Sequence, residues 1–193
     1  MIFRLLSFIL ITIFYIAYFA KQILLHRKGI VVNQMARGVK PNRTAVIETF
    51  LLTFTYLTAA IQYASIFLSK QMMVIEFLNI IRWIGILMIA CGVLFFILAI
   101  TVMRDSWRAG VDQTQNTSIV TTGIYKISRN PAFVGFDLLY IGTALAMPNI
   151  FIIVAAIISI ALMHLQVLEE EKYLPSVFGE EYLQYKEKTR RYL

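Results

Sequence analysis

Four long apolar stretches restrict what this chain can fold into. Phe3 to Leu25, Ala45 to Leu68 and Val74 to Val102 can each cross a hydrocarbon core of roughly 30 Å as a helix rising 1.5 Å per residue. From Pro131 to Leu165 the sequence stays apolar except at Met147-Pro148-Asn149-Ile150, and a Pro-Asn pair inside an apolar run reads as the tip of a helical hairpin. The expected fold is all-α: a polytopic membrane protein with five transmembrane helices, the fourth and fifth forming a hairpin. Apolar residues make up 59% of the 193 and charged ones 15%, which excludes an ordinary soluble domain. The first stretch is too long for a secretory signal and lacks a small-residue cleavage site, so it reads as a retained helix. Cys91 is the only cysteine, so no intramolecular disulfide forms and no metal pattern arises. Without repeats or low-complexity linkers, residues 1–193 read as one domain.

Charge sets the expected orientation. Arg27, Lys28, Arg37, Lys40 and Arg43 lie between the first two helices, and Arg104, Arg108, Lys126 and Arg129 between the third and fourth. Lys172, Lys186, Lys188, Arg190 and Arg191 fill the tail, while only Arg4 and Lys70 lie on the other side. The positive-inside rule then puts the N-terminus outside, with both long loops and the tail in the cytoplasm. Anchoring to anionic headgroups explains the surplus of +7 charges more simply than nucleic-acid binding does. Glu48, Glu76 and Arg82 fall near helix ends and are expected to reach the interface. Asp137, two turns past Pro131, either does the same or faces a polar cavity. A transporter would place such groups at the midplane of broken, repeated helices, a pattern this chain lacks.

One segment is not lipid-like. Val120 to Gly135 is polar and turn-rich, carries Lys126 and Arg129, and runs directly into an apolar helix. Irregular backbone near membrane depth is tolerated where it is buried in protein or lines a cavity, so this segment marks the expected active site. Asn130-Pro131 has the residues of a helix start. The pair either simply opens the fourth helix or also offers its free N–H groups to an anion, with Arg129 beside it. Gly123 permits a tight turn that returns Tyr125 over the helix start. In the tail, Glu169-Glu170-Glu171 carries the fifth helix out of the membrane, and Gly179-Glu180-Glu181 opens a polar cytoplasmic helix bearing Tyr182 and Tyr185 on one face. His164, one to two turns before the glutamates, is expected within reach of the same pocket.

These elements carry a resemblance. Ser106-Trp107-Arg108-Ala109-Gly110, Val120 to Tyr125, Arg129 to Gly135, Glu169-Glu170-Glu171 and Phe178 to Tyr185 occur in this order over roughly the last ninety residues. Together they resemble the isoprenylcysteine carboxyl methyltransferase family and the membrane phospholipid-methyltransferase-like group around it. The resemblance implies an S-adenosylmethionine-dependent enzyme without a Rossmann domain, its cofactor module spanning about 104–193. It implies cofactor contacts at Thr117, Ser118, Ile119, Val120, Tyr125, Asn130, Pro131, Ala132, Phe133 and Glu170, to which His164 is added from its position. Asn130 stands where the family commonly has His, Phe133 where it has Tyr, and Gln166 where some eukaryotic members carry an arginine.

Methyl transfer to a carboxylate is an in-line displacement needing alignment and water exclusion but no general base. Tyr125 and Phe133 offer aromatic faces to a sulfonium, and Arg129 or Arg108 can pair with an acceptor carboxylate. The expected partner is an isoprenylated cysteine or another lipid-borne acceptor, in a lipid bilayer and with no nucleic acid. A phospholipid amine is the first alternative acceptor, and it requires a base such as Glu170 or Asp137. A sterol-type NADPH reductase is the second alternative, and a non-enzymatic scaffold the third.

Overall fold

The structure, a computed structural model, describes residues 1–32, 35, 41–68, 72–107 and 118–193. Five α-helices carry it: α1 (Ile2–Arg27), α2 (Asn42–Phe67), α3 (Asn79–Met103), α4 (Pro131–Ala146) and α5 (Ile150–Lys188). Among the described residues there are no strands, only two isolated bridges. Exposed Ile16, Leu57, Leu87 and Ile157 turn outward from the bundle, the arrangement expected when lipid rather than water is the solvent.

Four helices, α1, α2, α3 and α5, are long and apolar enough to cross a membrane. The fourth is not: α4 has 16 residues, about 24 Å at 1.5 Å per residue. The expectation of five full spans therefore gives way to four candidate spans and one short helix. Its limits do fall where the sequence breaks, with α4 ending at Ala146 and α5 opening at Ile150. Asn149 caps α5 by accepting from the Ile152 N–H at 3.0 Å, while its amide donates to Ser65 Oγ at 2.9 Å.

Helix α4 is held by α3 at backbone contact. A Cβ added to Gly85 would lie 2.6 Å from the Gly142 carbonyl oxygen, and one added to Gly142 would lie 2.7 Å from that of Gly85. Two turns along, Gly92 and Gly135 repeat the relation at 2.7 and 2.9 Å. Small residues at such a crossing let two backbones meet where no hydrophobic force separates lipid from protein. Next to the second pair lies an aromatic core, with Phe14 4.4 Å from Phe96 and 4.8 Å from Phe136.

Polar side chains tie the remaining helices. Tyr15 donates to Gln62 Oε1 at 2.7 Å and Gln62 donates to Thr143 Oγ1 at 2.9 Å, joining α1, α2 and α4. Helix α2 packs along α5, with Thr58 and Ser159 2.8 Å apart and Thr44 donating to Glu169 at 2.8 Å. Glu48 belongs to this seam. Instead of reaching the interface it is fully buried and accepts from Gln166 Nε2 at 3.4 Å. An amide within reach on the neighbouring helix offsets part of the desolvation that was expected to push the carboxylate outward.

The tail departs from its expected layout in one respect. Helix α5 continues without a loop from the apolar stretch into the polar segment, and the only non-helical residue inside it is Gly179, at φ 54° and ψ −133°. That conformation suits glycine and redirects the chain there. The polar helix therefore does start at Gly179, but as the continuation of a bent α5.

Candidate functional site

The segment before α4 folds as its residues dictate. Gly123 takes φ +58° and opens a 3₁₀ turn over Gly123–Lys126 that buries Tyr125. Burial pushes the Tyr125 phenol upward, with smaller contributions from Tyr185 and Glu170, so the hydroxyl stays protonated at physiological pH. Asn130 and Pro131 then begin α4.

The last residues of the chain lie beside this segment. The Arg129 N–H donates to the Arg190 carbonyl at 2.9 Å, Ser128 pairs with Arg190 in a parallel bridge, and Tyr185 donates to the Tyr125 carbonyl at 2.7 Å. Asn130 Nδ2 donates to the Arg191 carbonyl at 3.2 Å and to Glu171 Oε1 at 3.3 Å. The tail and the segment before α4 thus form one wall.

Consecutive helical residues point about 100° apart, so the three glutamates face three ways. Glu169 accepts from Thr44 of α2 and from Lys172 at 2.7 Å. Glu171, 5% exposed at its side chain, binds Arg129 at 2.8 Å through one oxygen and Arg191 at 2.9 Å through the other. Glu170 turns to a cavity and accepts from Gln166 Nε2 at 3.0 Å. The same Gln166 nitrogen therefore bridges Glu48 and Glu170, while Gln166 Oε1 is buried with no partner.

That cavity, of about 180 Å³, collects much of the predicted site. Its polar lining comes from Thr55, Tyr125, Arg129, Asn130 and Glu170, and its aromatic and apolar lining includes Phe133, Phe136, Trp107, Tyr18 and Met163. Arg129 is its only cation and Glu170 its only anion among the described residues. Arg129 is heavily engaged. Nε and Nη2 donate to Glu171 and Nη1 to the carbonyls of Lys186 and Thr189, which uses four of its five N–H donors.

Of the predicted cofactor residues, Tyr125, Asn130, Ala132, Phe133 and Glu170 come together around this cavity. Pro131 is buried at the start of α4; Ser118 is exposed, and Ile119 and Val120 are half-buried without lining the cavity. Thr117 and Arg108 lie outside the described residues. His164 does not reach the cavity: it is exposed, and its Nδ1 lies 2.7 Å from the Tyr192 hydroxyl. Position 164 falls on a face of α5 different from those of Met163 and Glu170, which explains the miss.

Sequence reasoning passed over Tyr18, Phe136 and Met163, which resemble ordinary apolar helix residues. It also gave Glu171 no separate role. The Arg190-Arg191 pair, whose second member binds Glu171, was the available signal for that.

Residues 80–181, more than half of the chain, match the family described as phospholipid methyltransferase. No curated protein matches the chain.

Proposed function

We propose that this chain, which belongs to the phospholipid methyltransferase family, transfers the methyl group of S-adenosylmethionine to a polar group carried by a membrane lipid or a lipidated cysteine. The family makes it a membrane methyltransferase; the methyl donor, the acceptor and the residue roles are our reading. The observation that carries it is the mixed cavity, lined by aromatic rings and methionines together with Tyr125, Asn130 and Glu170.

This donor set fits the proposed cofactor. A sulfonium favours aromatic faces and a nearby carboxylate, and amino and hydroxyl groups find an acceptor at Glu170. Bound there, the cofactor would supply an electrophilic methyl group. The protein's part is to orient and to exclude water. Phe133 and Tyr125 would flank the positive sulfur, Glu170 would hold the polar end, and Asn130 would fix the segment before α4 against the tail. Arg129 acts as a positioning residue in this scheme, because its donors already hold Glu171 and the tail carbonyls.

The acceptor has two readings. An isoprenylcysteine carboxylate needs a cation, and with Arg129 engaged that duty falls to Arg108. A phospholipid amine needs a proton acceptor, and Glu170, the cavity's anion, could take that duty only in place of the cofactor contact assigned to it above. Alkali separates them. Membranes incubated with methyl-labelled cofactor should yield volatile methanol on base treatment if esters form, whereas N-methyl label stays in the lipid fraction. Label appearing in neither fraction would overturn the methyl-transfer reading.

Glu170→Ala should leave the fold intact and weaken S-adenosylhomocysteine binding by roughly tenfold or more, the worth of a lost hydrogen bond to a charged group. Calorimetry in detergent measures this. Unchanged affinity would remove Glu170 from the site.

A further inference from the structure

A second cavity, of about 500 Å³, opens between α1 and α2, and its lining is almost wholly apolar. Ile16, Phe19, Ala20 and Ile23 wall it from α1, and Tyr56 and Ala59 from α2. Most of its hydroxyls are engaged within the protein: Tyr15 donates to Gln62, Thr12 and Tyr63 lie 3.2 Å apart, and Thr55 donates to the Leu51 carbonyl at 2.8 Å. What the groove offers an occupant is mainly hydrocarbon and ring faces. Both walls belong to helices long and apolar enough to span a bilayer, so the groove meets acyl chains rather than water.

Tyr18 and Thr55 line this groove and also the cavity that holds Glu170 and Phe133. They form a partition with an apolar chamber on one side and a polar-ended chamber on the other. An amphiphile whose chain lies against Ile16 and Ala59 therefore has its headgroup end at Tyr18, at the aromatic edge of the cavity that Asn130 and Glu170 also line.

We propose that the α1–α2 groove is the binding site for the hydrocarbon chain of the acceptor, with Tyr18 and Thr55 as the threshold its polar end crosses. This rests on the methyl-transfer reading above and adds the place and chemical class of the lipid subsite. Lipid surrounds the groove, so moving a chain into it gains nothing from leaving water. Selection must come from fit, and filling the groove must exclude the chain sterically.

The test uses the full chain in nanodiscs with a phosphatidylethanolamine carrying a diazirine in mid-chain. Photolabel should concentrate on residues 12–23 and 55–63. The double variant Ala20→Leu/Ala59→Leu should lower that labelling, and total methyl incorporation into native membranes, by about tenfold. Its affinity for S-adenosylhomocysteine should equal that of the wild type, which also shows that the variant is folded.

Labelling spread evenly over the outward helix faces would overturn the proposal. So would groove labelling combined with unchanged methyl incorporation in the variant, which would make the occupant an ordinary bilayer lipid. A wild type that neither binds S-adenosylhomocysteine nor incorporates methyl would sink the methyltransferase reading instead, and the labelling pattern would still report whether the groove holds a chain.

Discussion

Glu171→Ala should destabilise the protein by about 3–5 kcal/mol, the usual cost of removing one partner from a buried ion pair. Arg129 is only 8% exposed at its side chain, and without Glu171 its charge would be left among the Lys186 and Thr189 carbonyls with no carboxylate bound to it among the described residues. Arg191 and the Asn130 amide would lose the same acceptor, so the tail would come away from the start of α4. Arg129→Ala should cost less, because Glu171 keeps Arg191. Thermal unfolding in detergent measures both, and methyl transfer should fall with the Glu171 variant's folded fraction. The neighbouring Glu170→Ala should leave the melting temperature nearly unchanged. Equal melting temperatures for the two alanine variants would refute the division of labour among the glutamates.

The second large effect is expected at the crossing of α3 and α4. Gly142→Ala should cost about 1–3 kcal/mol, in the range of overpacking, because the new carbon would meet the Gly85 carbonyl oxygen and the Ile89 N, both at 2.7 Å. Those atoms are backbone, so relief requires the helices to part. Gly142→Leu should therefore prevent a stable fold. Ala161→Leu, a comparable addition at an exposed position of α5, serves as the control. The measurement is the yield of monodisperse protein and its melting temperature. A Gly142→Leu variant as stable as the control would show that the close approach is dispensable.

Both effects bear on what could be read from the sequence. Helix limits were legible because apolar runs end at Pro, Asn or charge, and α1, α2 and the α4–α5 break lie within a few residues of expectation. The grouping of Tyr125, Asn130, Phe133 and Glu170 was legible from ordered motifs. The glycine pairs were not, although Gly85–Gly92 and Gly135–Gly142 share a spacing of seven residues. Isolated glycines are common in membrane helices, and only the pairing gives these a meaning. The burial of Glu48 was not legible either, since it depends on Gln166 arriving from a helix over a hundred residues away. Local position predicts where a charge could escape to, but says nothing about a partner supplied by tertiary packing.

The shortness of α4 has a consequence for how far a lipid must travel. A helix of about 24 Å cannot match a hydrocarbon layer of roughly 30 Å, and mismatch of this kind is relieved by local thinning of the bilayer or by sinking one helix end below the headgroups. Its N-terminal end carries Asn130 and Phe133, so the reacting centre would lie nearer the depth of glycerol and ester groups than of bulk water. A lipid headgroup would then reach it by a small vertical displacement instead of extraction from the leaflet. On the methyl-transfer reading proposed above, bilayer thickness would become a control on turnover: lengthening the surrounding acyl chains would raise the elastic cost of that displacement without touching a single residue of the site.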